Sequence, residues 1–181
     1  MSKSRAGMRV TRSDGFTLFE LVVVIALIST LMAVLLDRML VYQEAAEKAA
    51  MEQTAGIVRS ALHLQIAERF LHSSRRGVAE LQKDNPMSWL AEEPANYVGV
   101  RFAPKAGDVP GGSWYFDLSD SQLVYLPQRA EHLAPNAAGR REVRYRVMPV
   151  YGKSAQEQAL NAENKELQGV ILALVEPYHW F

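Results

Sequence analysis

The chain has 181 residues, enough for one ordinary domain plus an anchor, and its 20 Lys and Arg are balanced by 20 Asp and Glu. With no net charge, no whole-molecule field selects for nucleic acid or for an acidic partner. The absence of cysteine excludes disulfides, thiolate metal sites, cysteine nucleophiles and lipoprotein-type acylation. It leaves an oxidising compartment open, because a domain of this size can fold without staples.

The neutral balance hides a polarity. Residues 1–15 carry Lys3, Arg5, Arg9 and Arg12 against Asp14 alone. Without them the chain keeps 16 cations and 19 carboxylates, a formal −3 before a new amino terminus is counted. From Phe16 to Leu36 the sequence reads FTLFELVVVIALISTLMAVLL, 21 residues with Glu20 as the single charge. At about 1.5 Å per residue this covers roughly 30 Å, the thickness of a hydrocarbon core. The basic residues before it keep the amino end in the cytoplasm and send the rest across. Asp37 and Arg38 close the run.

The run is too long for the h-region of a secretory signal peptide, and no A-x-A cleavage pattern follows it. A plain signal anchor tolerates Glu20 near the interface without explaining it. A carboxylate in an apolar segment costs on the order of 2–3 kcal/mol or more and is a functional candidate by default. If the chain is cut after Gly15, Phe16 gains a free amine, and Glu20 lies four residues on, where helical residues share a face. Ammonium and carboxylate, within one subunit or between two staggered ones, then neutralise each other in low dielectric. The anchor thereby favours a neighbour in one axial register.

A basic leader, then Gly15-Phe16-Thr17-Leu18-Phe19-Glu20-Leu21, then an unbroken apolar run, resembles the class III signal of type IV pilins and type II secretion pseudopilins. The resemblance covers residues 1–72 well and the remainder only in architecture. It implies that a prepilin peptidase cleaves between Gly15 and Phe16 and methylates the Phe16 amine, and that Phe16 and Glu20 guide assembly into a helical filament. Many relatives have a proline where the membrane helix ends. Here Leu35-Leu36-Asp37-Arg38 has none, so a straight or gently curved helix and a lower-abundance subunit are expected.

No proline occurs between Phe16 and Asn85, and residues 38–72 are rich in good helix formers. Ile57, Ala61, Leu64 and Leu71, with Val58, Leu62, Ile66 and Phe70 beside them, form a helical stripe. Glu44, Glu47, Lys48, Glu52, Gln53, Arg59 and Glu68 are assigned to the other face. Gly56 is a weak point, and Ser73-Ser74-Arg75-Arg76-Gly77 ends the helix with Gly77 as its cap. The spacing predicts one helix over 16–73, roughly 85 Å long, with a sheet packed over residues 55–72.

Beyond it, residues 78–92 read as one or two short helices, with Asn85 as N-cap, Pro86 at the first helical position and Met87, Trp89 and Leu90 facing inward. Strands are predicted at 97–102, 113–118, 122–126, 142–151 and 169–181, the second and third as a hairpin around Ser119-Asp120-Ser121. In the fourth, Val143, Tyr145 and Val147 alternate with Arg144 and Arg146. Trp114, Phe116 and Trp180 are placed in the sheet core. The connections 103–112, 127–141 and 152–168 read as exposed, the last with a helical turn around Glu157–Leu160.

The fold expected is α+β: a long amino-terminal helix, transmembrane in its first half, packed on a carboxy-terminal antiparallel β-sheet in a pilin-like roll. The divisions are a cleaved leader at 1–15, a transmembrane segment at 16–36, the periplasmic half of the helix at 37–73 and a globular domain at 74–181. No H-E-x-x-H, G-x-S-x-G or phosphate-binding loop occurs, and His63, His72, His132 and His179 read as scattered surface or core residues rather than an enzyme's. No cofactor is expected. Calcium is held in a late loop of the resembled major pseudopilins, but Asp117 and Asp120 lack EF-hand spacing and suit a turn. Arg75-Arg76 and Arg140-Arg141 read as solvated surface rather than a nucleic-acid interface.

These readings converge on a non-enzymatic structural subunit, a minor pilin or pseudopilin of a type II secretion pseudopilus or a type IV pilus. Expected partners are other such subunits through the helix, prepilin peptidase, the inner-membrane assembly platform and the lipid bilayer. The chain is expected to span the inner membrane once, with its carboxy-terminal domain periplasmic, before entering a filament. The alternative is an anchored binding module that captures a ligand or DNA.

Overall fold

The computed structural model describes residues 16–72, 80–152 and 166–181. The leader with Gly15, the expected helix end at 73–77 with its Gly77 cap, and the turn expected at Glu157–Leu160 lie outside the described residues. One helix, α1 (Leu18–His72), is followed by a short 3-10 helix (Pro86–Trp89) and five strands: β1 (Tyr97–Arg101), β2 (Ser113–Asp117), β3 (Gln122–Leu126), β4 (Val143–Gly152) and β5 (Glu166–Leu174). The strands form a single sheet in the order β1-β2-β3-β4-β5. The arrangement is α+β. The chain divides into two compact units, Met1–Tyr42 and Gln43–Phe181.

Local chemistry explains the boundaries. Asn85 caps the 3-10 helix, its side chain accepting from the Met87 N–H at 3.1 Å, and Pro86 fixes the first helical φ. β2 and β3 pair antiparallel from Ser113↔Leu126 to Asp117↔Gln122. β3–β4 and β4–β5 are also antiparallel. One pairing departs from the expected sheet: β1 runs parallel to β2. The intervening segment carries the chain back to the starting end of the sheet, and Gly107 and Gly112 provide the left-handed turns, at φ 95° and 76°. β5 ends at Leu174, short of the expected Phe181; beyond it the backbone forms the isolated Leu133↔Trp180 bridge, and Trp180 packs into the core.

The second unit has one main core. Period-two alternation places Trp114 and Phe116 of β2, Leu123 and Tyr125 of β3, Val143, Tyr145 and Val147 of β4, and Val170 and Leu172 of β5 on its inner face. Trp180 joins them. From α1 the core receives Met51, Ala55, Val58 and Leu62, with Ile66 against them. Steps of four, three and four keep these residues on one helical face.

That face corrects the expected stripe. Val58, Leu62 and Ile66 do turn inward, but Ile57, Leu64 and Leu71 are 52%, 72% and 82% exposed. The inward face continues back through Ala55 to Met51, which were not assigned to it. β2 and β3 are buried on both sides, since Tyr115 and Val124 form a second small cluster with Val109 from the preceding loop.

Candidate functional site

The site begins where α1 begins. Thr17 caps the helix: its Oγ1 accepts from the Glu20 N–H at 3.2 Å, and its carbonyl accepts from the Leu21 N–H at 3.1 Å. The helix therefore starts at Leu18 rather than at Phe16. Phe16 lies just before the cap, so it and Glu20 are not both inside the helix as the i, i+4 reading assumed. Glu20 stands in the first turn, where the helix dipole favours a carboxylate. Thr17-x-x-Glu20 is a capping-box signature, of which the Thr17 bond is made, a signal legible in the sequence and missed there.

From Phe16 to Tyr42 no described side chain is buried, with Leu18 and Phe19 about four-fifths exposed. An apolar surface of this extent needs lipid or other helices around it. Within the apolar run, Thr30 Oγ1 donates back to the Ala26 carbonyl at 2.9 Å, as a hydroxyl in an apolar setting requires. Among the described residues, this is the one helix long and apolar enough to cross a membrane. The helix passes without interruption through Leu35, Leu36 and Arg38, where the sequence has no proline.

The second unit holds the polar surprise. Glu44, Glu47, Lys48, Glu52 and Arg59 were assigned to the face away from the sheet; each instead reaches the globular domain. Glu44 is 2% exposed. Its Oε1 accepts from the Trp180 indole at 2.8 Å and from the His132 N–H at 3.0 Å, and its Oε2 lies 2.7 Å from His132 Nδ1. Glu47 accepts from the Tyr125 hydroxyl and from the N–H groups of Gln128 and Arg129. Lys48 donates to the Trp180 carbonyl, Glu52 accepts from the Tyr178 hydroxyl, and Arg59 donates to the Leu172 carbonyl while lying over the Tyr145 ring. His132, read as an unremarkable histidine, stacks on Phe181 with centroids 4.9 Å apart.

The electrostatics follow. Burial pushes the Glu44 carboxyl up, but the hydrogen bonds from His132 and Trp180 outweigh it and leave it lowered. Burial and the Glu47 carboxylate raise the Tyr125 phenol, and burial and Glu52 raise Tyr178. On β2, burial again pushes Asp117 up, yet the Ser119 hydroxyl, the Ala103 and Ser119 N–H groups and Arg144 hold it down. Asp120 lies 3.6 Å from Arg144. Both aspartates thus have protein partners. Arg140 pairs with Glu142 at 3.1 Å and Arg141 donates to the Ala130 carbonyl. Arg75 and Arg76 lie outside the described residues.

Residues 11–36 match the family model described as the prokaryotic N-terminal methylation motif. The chain carries a prepilin-type signal. This is the signal of type IV pilins and pseudopilins, and it brackets Gly15, Phe16, the Thr17 cap, Glu20 and the whole exposed apolar run. No curated protein and no solved structure matches the chain. The prepilin-type signal supports a pilin-like or pseudopilin-like protein of a structural rather than catalytic family. It implies processing by prepilin peptidase and association with other pilins, and together with the apolar helix it fits a membrane-anchored chain.

Proposed function

We propose that this chain is a minor pilin or pseudopilin, an accessory subunit of a type II secretion pseudopilus or a type IV pilus. The observation that carries the reading is the coincidence of the prepilin-type signal at 11–36 with an apolar helix that buries no described side chain up to Leu36 and whose single charge up to there is Glu20. Prepilin peptidase cuts between Gly15 and Phe16 and methylates the new amine. The basic leader holds the amino end in the cytoplasm, so the globular domain is periplasmic. In the membrane and in the filament core, the apolar helix packs against its neighbours. Glu20 of one subunit meets the Phe16 ammonium of the next, since an unpaired carboxylate there is costly and the pair fixes axial register. The lack of cysteine, and hence of a carboxy-terminal disulfide loop, and the lack of a proline near Leu36 support an accessory subunit.

Mass spectrometry of the mature chain is expected to show a methylated amino-terminal Phe16. An intact Met1, or a cut anywhere else, sinks the processing claim. Glu20→Ala is expected to leave membrane insertion intact and to cut filament incorporation at least tenfold. Unchanged incorporation would favour the anchored binding module instead.

A further inference from the structure

On the face of the sheet opposite the main core, Val109, Tyr115 and Val124 cluster with Val98 and Leu126. Segments around 104–109, 126–130 and 140–142 line an open cavity of about 350 Å³ above them. Gly111 lets these walls close: a Cβ there would stand 2.9 Å from the Gln128 backbone. The floor is apolar, with Val109, Tyr115 and Leu126, and Lys105, Arg140 and Arg141 also line the cavity. The one carboxylate in the lining, Glu142, is buried and tied to Arg140 at 3.1 Å and Arg144 at 2.7 Å. Among the described residues, Lys105 and Arg141 have no carboxylate partner, and both are exposed.

Tyr115 is the second, independent observation. It is 3% exposed. Tyr97, Tyr125 and Tyr178 each have a hydrogen-bonded hydroxyl, whereas Tyr115 has no hydrogen bond among the described residues. The residue lines the cavity, and its hydroxyl tip is open to solvent rather than sealed in, so it can donate to a group bound there. Burial, then the Glu142 charge, pushes this phenol up to about 12, so at neutral pH it remains a hydrogen-bond donor.

We propose that this cavity binds an apolar group ending in a carboxylate, its body on Val109 and Leu126 and its carboxylate accepting from the Tyr115 hydroxyl under the charges of Lys105 and Arg141. Such a group comes from a free aryl or alkyl carboxylic acid, or from an acidic residue beside an apolar one in a peptide. The site is independent of the filament reading, because it uses no residue of the anchor.

The test titrates the full chain, in zwitterionic nanodiscs with isotope-labelled tyrosine, with hydrocinnamate, its neutral alcohol and acetyl-Phe-Asp-amide. The Tyr115 resonance is expected to shift saturably with the acids and at least about fivefold more weakly with the alcohol. Tyr115→Phe, followed by calorimetry, is expected to weaken acid binding about tenfold. Lys105→Glu, on an exposed side chain that cannot unfold the domain, is expected to weaken it about fivefold. Tighter binding of the peptide than of hydrocinnamate assigns the site to a polypeptide, and the reverse assigns it to a small molecule. A Tyr115 resonance that moves with neither acid, equal binding of acid and alcohol, or undiminished binding by Lys105→Glu would overturn the proposal.

Discussion

Glu44 shows how one side chain can tie a chain terminus to a helix. Its two oxygens satisfy the Trp180 indole, the His132 backbone and the His132 ring, in a spot where solvent reaches almost none of it. Removing the carboxylate leaves a buried indole N–H with no acceptor, so Glu44→Ala is expected to cost about 2–4 kcal/mol and Glu44→Gln, which keeps an acceptor, clearly less. Urea unfolding followed by tryptophan fluorescence measures both; a loss under about 0.5 kcal/mol for the alanine variant contradicts this account. The pH dependence has a definite sign. The folded Glu44 carboxyl titrates below its ordinary 4.5, so its stabilisation is complete above that value and is lost as pH falls through the lower folded one. Asp117, lowered from 3.8, adds a second loss in the same direction. The melting temperature is therefore expected to fall on acidification below 4.5, and to fall less in Glu44→Gln. Neither partner of Glu44 was legible in the sequence, because Trp180 is 136 residues away and the tail follows no periodic rule.

At the scale of elements, α1 carries apolar residues on more than one side beyond Gln43, and only one side is inward. Met51, Ala55, Val58 and Leu62 are buried, while Leu64 and Leu71 are not. Leu62→Ala is expected to cost about 2–5 kcal/mol, the range for a fully buried leucine. Leu64→Ala, at 72% exposure, is expected to stay within about 0.5 kcal/mol. Comparable losses in thermal unfolding would mean the helix is rotated from the face described. The sequence called for a sheet on this part of the helix, and β2, β3 and β4 lie within a residue or two of their expected spans because turn residues and alternation marked them. The parallel β1–β2 pairing was not legible, since direction is set by the path of the 102–112 segment and not by either strand's pattern. β2 and β3 were expected only as a hairpin; that they are buried on both faces came from the structure, where Val109 covers the second face.

For the whole molecule, the two units make different demands on their surroundings. The described residues up to Tyr42 expose nearly every large apolar side chain, so that unit requires lipid, detergent or neighbouring helices. Gln43–Phe181 contains the entire main core and every hydrogen bond of the polar row from Glu44 to Arg59. A fragment of those residues is expected to be soluble without detergent and to unfold cooperatively, with a melting temperature within about 5 °C of the full chain; a fragment that aggregates or melts without cooperativity refutes this. The sequence by itself determined the prepilin-type signal, the apolar anchor with Glu20 in its first turn, and the number and rough place of the strands. Those are local properties: composition, spacing and turn chemistry act within a few residues. Tertiary structure alone decided which side of α1 faces the sheet, that Glu44, Glu47, Lys48, Glu52 and Arg59 bond to the domain instead of water, and that Tyr115 lies beneath a cavity. A helix offers all its faces equally until something packs on one, and a polar side chain's role depends on partners that only the folded chain brings within reach.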